Sequence, residues 1–305
     1  MIFTLAHLSD IHLGPLPRGA VWRDFALKRI VGGASWRFRR QHLHSPAIAE
    51  CLRADIMAAR PDHIALTGDF VNLAAPAEFP RAAAWLKAFA APADLSFVPG
   101  NHDAYVPVYW ERGLKALEPW MKGDMTVANP VNSPLLATPF PYVRLRRNVA
   151  LIGLTTAVPQ SLRKAGGTLG AGQLAALAAV LGQLRERGYY RVIMIHHPPL
   201  PGQNSPRKAL TDASALSEIL VSEGAELVLH GHNHRAMHST VESRHGPVAV
   251  VGVPSASMVD DGTHEAAAWY RYAIERRDGR WHTTVAVRRW NSALGAFVDG
   301  ASFQL

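Results

Sequence analysis

Phe3-Thr-Leu-Ala-His-Leu-Ser-Asp-Ile-His12 decides how the rest of the chain is read. An apolar run with strand character stops at Leu8, and a carboxylate and an imidazole, Asp10 and His12, follow at once. The same arrangement recurs further along. Ile64–Leu66 leads into Gly68-Asp69, and Leu95–Val98 leads into Gly100-Asn-His-Asp103. Val192–Ile195 leads into His196-His197-Pro198, and Leu227–Leu229 into Gly231-His-Asn-His234. In open α/β sheets the loops leaving the carboxyl ends of strands converge on one crevice. Asp10, His12, Asp69, Asn101, His196, His232 and His234 are therefore expected to gather at one edge, although they span most of the chain. Mixed carboxylate, carboxamide and imidazole ligands suit Mn²⁺, Fe²⁺, Zn²⁺ or Ni²⁺ better than Mg²⁺ or Ca²⁺. Two such ions about 3.5–4 Å apart share bridging ligands in hydrolytic enzymes. The five clusters read as a two-metal hydrolytic centre.

Helical segments fit between the strands. Ser45-Pro46 supplies an N-cap and a first-turn proline for a helix to about Ala59. Glu78–Ala90 places Trp85 and Phe89 on one face. Ala171–Arg187 and Thr211–Glu223 stop at Gly188 and Gly224. With Val149–Leu154 as a further strand, this alternation predicts a predominantly parallel sheet. The last third differs. Met237–Glu242, Val248–Val253, Ala267–Ile274 and Trp281–Arg288 read as strands with no helices between them, and Arg277-Asp-Gly-Arg280 is a hairpin signal. A second, largely antiparallel sheet packed on the first is expected from about residue 237. Asn129–Pro141, rich in proline, is expected to be an irregular surface connection. Nothing demands a domain boundary, so residues 1–305 are read as one domain.

Composition narrows the classes. No stretch approaches the length of apolar sequence that spans a bilayer. Residues 2–8 serve as a core strand, which argues against a cleaved leader. A single cysteine, Cys51, points to a reducing compartment, with the cytoplasm as the default. The formal charge of +8 is local. Arg18, Arg23, Lys28, Arg29, Arg37, Arg39 and Arg40 stand against Asp24 alone in a basic insertion at about 13–45, leaving the rest near neutral. Cations and aromatics are not interleaved along the remainder, so no specific nucleic acid is expected. His7, His63 and His230, on or beside strands, are expected to be packed, whereas His42, His44, His238, His245, His264 and His282 are expected at the surface.

In these blocks the sequence resembles the calcineurin-like metallophosphoesterases. That family carries Asp-x-His, Gly-Asp, Gly-Asn-His-Asp or -Glu, a histidine after an apolar strand, and Gly-His-x-His, and all occur here in order from Asp10 to His234. The C-terminal strands match only in general architecture. The resemblance implies an α/β fold, a two-sheet β-sandwich of mixed strands flanked by helices. It implies one ion held by Asp10, His12, Asp69 and His234, and another held by Asp69, Asn101, His196 and His232, with Asp69 bridging. A metal-bound hydroxide would attack phosphorus in line. His102 would stand over the site to stabilise the transition state or protonate the leaving alkoxide, and Asp103 would orient His102. His196 is preferred to its neighbour His197 because the family's histidine stands two residues before a proline. His197 is then left to support the site or touch substrate.

Gly68-Asp-Phe-Val-Asn72 with Glu78, Pro99-Gly-Asn-His-Asp103 and His196-His-Pro-Pro199 look like the bacterial cyclic-nucleotide and glycerophosphodiester phosphodiesterases. Phosphodiester hydrolysis is therefore preferred. A phosphomonoesterase, a lipid-linked pyrophosphate hydrolase and a metal-binding scaffold without turnover are the alternatives. The insertion mixes Trp22, Phe25, Ile30, Trp36 and Phe38 with its cations. It reads either as a lid over the metals, touching a lipid-like substrate or an anionic membrane through residues 18–40, or as a solvated loop.

Overall fold

Strand β1 (Phe3–Leu8) lies inside a six-stranded sheet, hydrogen-bonded on one side to a parallel and on the other to an antiparallel neighbour. A computed structural model describes residues 1–17, 27–125, 127, 131–133, 136–162 and 164–305. The remaining strands are β2 (His63–Leu66), β3 (Leu95–Phe97), β4 (Val131–Ser133), β5 (Leu136–Phe140), β6 (Tyr142–Arg146), β7 (Val149–Gly153) and β8 (Tyr190–Met194). They continue with β9 (Leu227–His230), β10 (Met237–Ser243), β11 (Gly246–Gly252), β12 (Ala268–Arg277), β13 (Arg280–Asn291) and β14 (Ala296–Gln304). The first sheet has the order β14-β13-β12-β1-β2-β3 and the second the order β10-β11-β9-β8-β7-β6. The helices are α1 (Leu27–Ser35), α2 (Gln41–Leu43), α3 (Pro46–Ala59), α4 (Glu78–Phe89), α5 (Ala171–Glu186) and α6 (Ala213–Glu223), with a wide π turn, Trp36–Arg40, joining α1 to α2. None of these helices is long and apolar enough to cross a membrane.

Both sheets are mixed, and the C-terminal strands are shared between them. The expected separate antiparallel sheet does not form. Instead β10 and β11 extend the second sheet beside β9, while β12, β13 and β14 extend the first beside β1. Side-chain alternation explains how the layers stack. In β8, Val192 and Met194 face the core shared by the two sheets, whereas Ile193 faces outward into a second cluster with Leu177 and Leu181 of α5 and Leu216 and Leu220 of α6. β9 follows the same rule: Leu227 and Leu229 point inward and Val228 points to the helices. A strand buried on both faces reads as a continuous apolar run, which is how these segments look in the sequence.

Local signals account for the element ends. Ser45 Oγ accepts the Ile48 N–H at 3.4 Å, and α3 buries Ile48, Ala49, Leu52 and Ile56 before Arg60 turns into the left-handed region at φ 47°. Between β12 and β13, Asp278 and Gly279 take φ of 49° and 78°, the pair of positive values a two-residue hairpin needs. The stretch expected to be irregular contains the antiparallel pair β4–β5; residues 129, 130, 134 and 135 lie outside the described set.

Candidate metal centre

The parallel strands β1, β2 and β3 of one sheet and β8 and β9 of the other release their loops towards each other. Backbone hydrogen bonds tie these loops together: Asp10 N–H to Gly68 O at 3.0 Å, His12 N–H to Asp69 O at 3.0 Å, and Gly231 N–H to His196 O at 3.0 Å. Two carboxylates complete the ties. Asp10 Oδ2 accepts the His232 N–H at 2.9 Å, and Asp69 Oδ1 accepts the His102 N–H at 2.7 Å. Each carboxylate therefore has one oxygen used by the backbone and the other turned to the cluster.

The side-chain atoms fall into two groups around Asp69 Oδ2. On one side His196 Nε2 lies 3.4 Å from Asp69 Oδ2, 3.2 Å from Asn101 Oδ1 and 3.2 Å from His232 Nδ1. On the other, His12 Nε2 lies 3.8 Å from Asp69 Oδ2 and 3.3 Å from His234 Nε2, which is 3.3 Å from Asp10 Oδ1. All seven residues singled out as ligands in the sequence are thus brought together.

Delivering them costs conformational energy. Asp10, His12, Asp69, His232 and His234 have φ of 56°, 46°, 51°, 72° and 52°, a region that L-residues other than glycine seldom enter. Such residues cluster where function over-determines the backbone. The glycines beside them answer a packing need. A Cβ on Gly68, itself at φ 91°, would sit 2.5 Å from His196 Nδ1, and one on Gly231 would overlap Ser9 Oγ and Asp10 Oδ2.

Burial and mutual charge set the protonation of these groups. Burial alone would raise the Asp69 carboxyl, but His196 and then His102 hold it well below the usual carboxylate range. Burial would also lower His196, yet Asp69 outweighs it and pushes this imidazole up to about 9. His12 and His232 are lowered by burial and by neighbouring histidines, so both are neutral with lone pairs to offer. Asp10 Oδ1 is buried without a hydrogen bond. His12 and His232 thus offer neutral imidazoles beside the Asp69 carboxylate, and the oxygen and nitrogen mixture suits a borderline divalent ion. Three-residue combinations such as Asp10, Asp69 and His196 bring their ligand atoms within 4.8 Å of one another.

His102 overlooks the cluster, its ring 4.8 Å from that of His12. Its Nδ1–H donates to Asn72 O at 2.6 Å, which leaves Nε2 as the lone-pair nitrogen. Tyr105 stacks on it at 5.2 Å. Asp103 does not orient His102. Its carboxylate accepts from the N–H groups of Phe70, Val71 and Gly100 at 3.0, 2.9 and 2.8 Å, because burial beneath those amides points it away from the imidazole. His197 has both nitrogens occupied, by Thr156 Oγ1 at 2.7 Å and Ala165 O at 3.1 Å, so His196 is the member of the pair facing the cluster.

The insertion supplies residues that the motifs did not reveal. Arg18, Trp22, Arg23 and Phe25 lie outside the described residues. Of the rest, Lys28 Nζ donates to Gln160 O at 2.9 Å and Arg29 to Ala74 O at 2.9 Å, which pins α1 to the body. Arg40 Nη1 reaches the His102 ring, 3.2 Å from Nδ1 and 3.4 Å from Nε2. Lys28, Arg29 and Arg40 of this described part are therefore bonded to the body of the protein, while Arg37, Phe38 and Arg39 are exposed. His44, expected at the surface, is only 4% exposed, and its ring lies 4.4 Å from that of His12, tilted by 49°. The sequence signal that bears on it is Ser45-Pro46, which starts a helix and fixes the chain there. A cavity of about 730 Å³ lies elsewhere: it is lined by Tyr190 at the opposite end of β8, with His238 and Trp281, and by none of these side chains.

Comparison with known proteins bears on family and fold. The model of the calcineurin-like phosphoesterases matches residues 3–236. The chain belongs to the calcineurin-like phosphoesterase family. A curated relative, a probable cyclic nucleotide phosphodiesterase from Synechococcus, is 24% identical over 288 residues, covering 93% of this chain and 92% of its own. A dimetal phosphatase from Danio rerio superposes with a TM-score of 0.60 at 14% identity, over 99% of this chain and 98% of that one. A purple acid phosphatase from yellow lupin gives 0.60 at 12% identity, over 100% of this chain but 53% of its own. At these identities the solved structures speak for the fold alone, and the fold is that of the phosphoesterases.

Proposed function

We propose that this chain is a phosphodiesterase using two divalent ions, of the Mn²⁺, Fe²⁺ or Zn²⁺ type. Asp10, His12, Asp69 and His234 would hold one, and Asp69, Asn101, His196 and His232 the other. The observation that carries this reading is the place of Asp69 Oδ2, 3.4 Å from His196 Nε2 and 3.8 Å from His12 Nε2, between two otherwise separate donor sets. When bound, such a pair lowers the pKa of a water and neutralises charge on phosphoryl oxygens in an in-line displacement.

The protein's own groups do the rest. With Nδ1–H committed to Asn72 O, His102 would offer Nε2 to the substrate. Burial holds this ring down at about 4, so it is neutral in the free protein. A phosphoryl anion beside it would favour its protonated form. It would then hand that proton to the departing alkoxide. Arg40, against the same ring, would meet a non-bridging phosphoryl oxygen as a fixed cation.

Preference for diesters rests on the Gly68-to-Asn72 run and on the name of the Synechococcus relative. Purified protein with Mn²⁺ should release nitrophenol from bis(p-nitrophenyl) phosphate faster than from p-nitrophenyl phosphate. The reverse order would assign a monoesterase, and silence on both with ions bound would assign a scaffold. The lone Cys51 supports a cytoplasmic setting. A lipid-like diester is a second reading, favoured by Phe38, 75% exposed between the exposed Arg37 and Arg39. Phe38→Glu should then abolish co-sedimentation with anionic liposomes; an unchanged pellet removes that idea.

A further inference from the structure

His44 is contributed by the insertion, and no family motif includes it. We propose that His44 is a direct ligand, through Nε2, of the ion lying between His12 and His234; the inference rests on the two-ion reading above.

Ring geometry is the first argument. A metal–imidazole bond of about 2.0–2.1 Å places the ring centroid roughly 3.2 Å from the ion, so two ligating rings at about 90–110° have centroids roughly 4.5–5.2 Å apart. The three pairs here are His12–His44 at 4.4 Å, His12–His234 at 5.2 Å and His44–His234 at 5.3 Å. Their ligand atoms lie within 4.8 Å of one another. The pair assigned to the other ion, His196 and His232, has the same spacing, 5.1 Å.

Hydrogen bonding is the second. Among the described residues both ring hydrogen bonds of His44 are made by Nδ1, to Ser257 Oγ at 2.9 Å and Ser255 Oγ at 3.4 Å, and Nε2 makes none. A metal-ligating histidine characteristically has its other nitrogen fixed by an outer partner, which sets tautomer and ring angle. Ser255 Oγ also donates to Asp10 O at 2.7 Å, so one serine braces two residues of the same donor set. His197 shows what proximity without this pattern means. Its ring is 4.4 Å from that of His232, but both its nitrogens are spent on protein partners.

Rigidity is the third. His44 forms an antiparallel bridge with Met258, flanked by Ser45 N–H to Ser257 O at 2.8 Å and Val259 N–H to Leu43 O at 2.8 Å. The imidazole therefore comes from a paired segment, not from a swinging loop. Three imidazoles on one ion make that site richer in nitrogen than its neighbour, which favours Zn²⁺ over Mn²⁺ there.

The test is Zn²⁺ titration of the full chain by calorimetry, with metal analysis after gel filtration, for the natural protein, His44→Gln and the surface control His42→Ala. The expected result is two ions for the natural protein and His42→Ala. In His44→Gln one ion should bind about ten-fold or more weakly, with the other unchanged. Two ions at undiminished affinity in His44→Gln overturn the proposal and leave the two-ion reading intact. Fewer than two in the natural protein overturns both. Should His44→Gln not fold, the natural protein decides. Loaded with ¹¹³Cd and carrying ¹⁵N-histidine, it should show cadmium coupling at His12, His44, His196, His232 and His234, and absence of the His44 coupling refutes the assignment.

Discussion

Asp69 combines three demands that no other residue type meets together. It must take a left-handed backbone at φ 51°, give one oxygen to the His102 amide, and keep the other for the cluster. Asp69→Ala should therefore lose both ions in metal analysis, whereas a protein that keeps one would show that the two sets do not share this carboxylate. His102 differs because its Nδ1–H is committed to Asn72 O, although a ring nitrogen lies within 4.8 Å of the ligand atoms of His12 and Asp69. His102→Ala should retain two ions and lower kcat by about 10²–10⁴-fold, the usual worth of a positioned proton donor. Loss of metal in that variant would mean the ring ligates instead. At this scale the ligands were legible for a physical reason. Each sits where an apolar strand ends, so the sequence marks both its identity and its place. Arg40 and His44 carry no such mark, because they arrive on a π turn and on a bridged residue after α2 whose docking is decided by contacts distant in sequence, such as Arg29 with Ala74 and His44 with Ser257.

Between residue and molecule stands the pair of loops after β2 and β3, and Asp103 is what joins them. Its two oxygens accept the amides of Phe70 and Val71 from one loop and of Gly100 from its own. Reading it as an orienter of His102 failed because sequence adjacency says nothing of direction: the buried carboxylate turns under the backbone while His102 turns outward. Asp103→Ala would leave these amides without an acceptor at about 1–3 kcal/mol for each one stranded. The expected outcome is a lower melting temperature together with weaker binding of both ions, since Asp69 and Asn101 are carried by these same loops. A variant that melts like the natural protein and loses only kcat would restore the orienting role. Elements with strong local signals were legible in the same way, α3 through Ser45-Pro46 and the β12–β13 turn through Asp278-Gly279. β14 was not, because Ala296–Gln304 is mostly exposed, with Asp299 and Gly300 interrupting its alternation.

Over the whole molecule the fold class was legible and the allocation of strands was not. Antiparallel character is visible in a sequence, but the sheet a strand joins depends on partners such as β1 and β9, more than a hundred residues away from β12 and nearer for β11. Burial on this scale also sets how the protein responds to acid. His63 on β2 lies in the sheet with Nε2 on Ser96 Oγ at 2.9 Å, away from the metal ligands. Burial first, then Arg146 and Arg144, hold its imidazole well below the ordinary value. The unfolded chain takes up a proton near pH 6.5, whereas the folded chain resists it. Above that pH both states are neutral at this position and it contributes no pH dependence. Below it the unfolded state gains protons first, so stability falls by up to about 1.4 kcal/mol per pH unit until the folded value is reached. The metal ligands also titrate with acid, but that contribution is common to the natural protein and His63→Gln. The difference in urea unfolding free energy between the two should therefore shift by about 1.4 kcal/mol, in the variant's favour, from pH 7.5 to pH 5.5. A difference that stays constant over that range would mean His63 takes up its proton at the same pH folded as unfolded, and a shift against the variant would mean it is already protonated in the folded protein; either result removes its neutral place in the sheet.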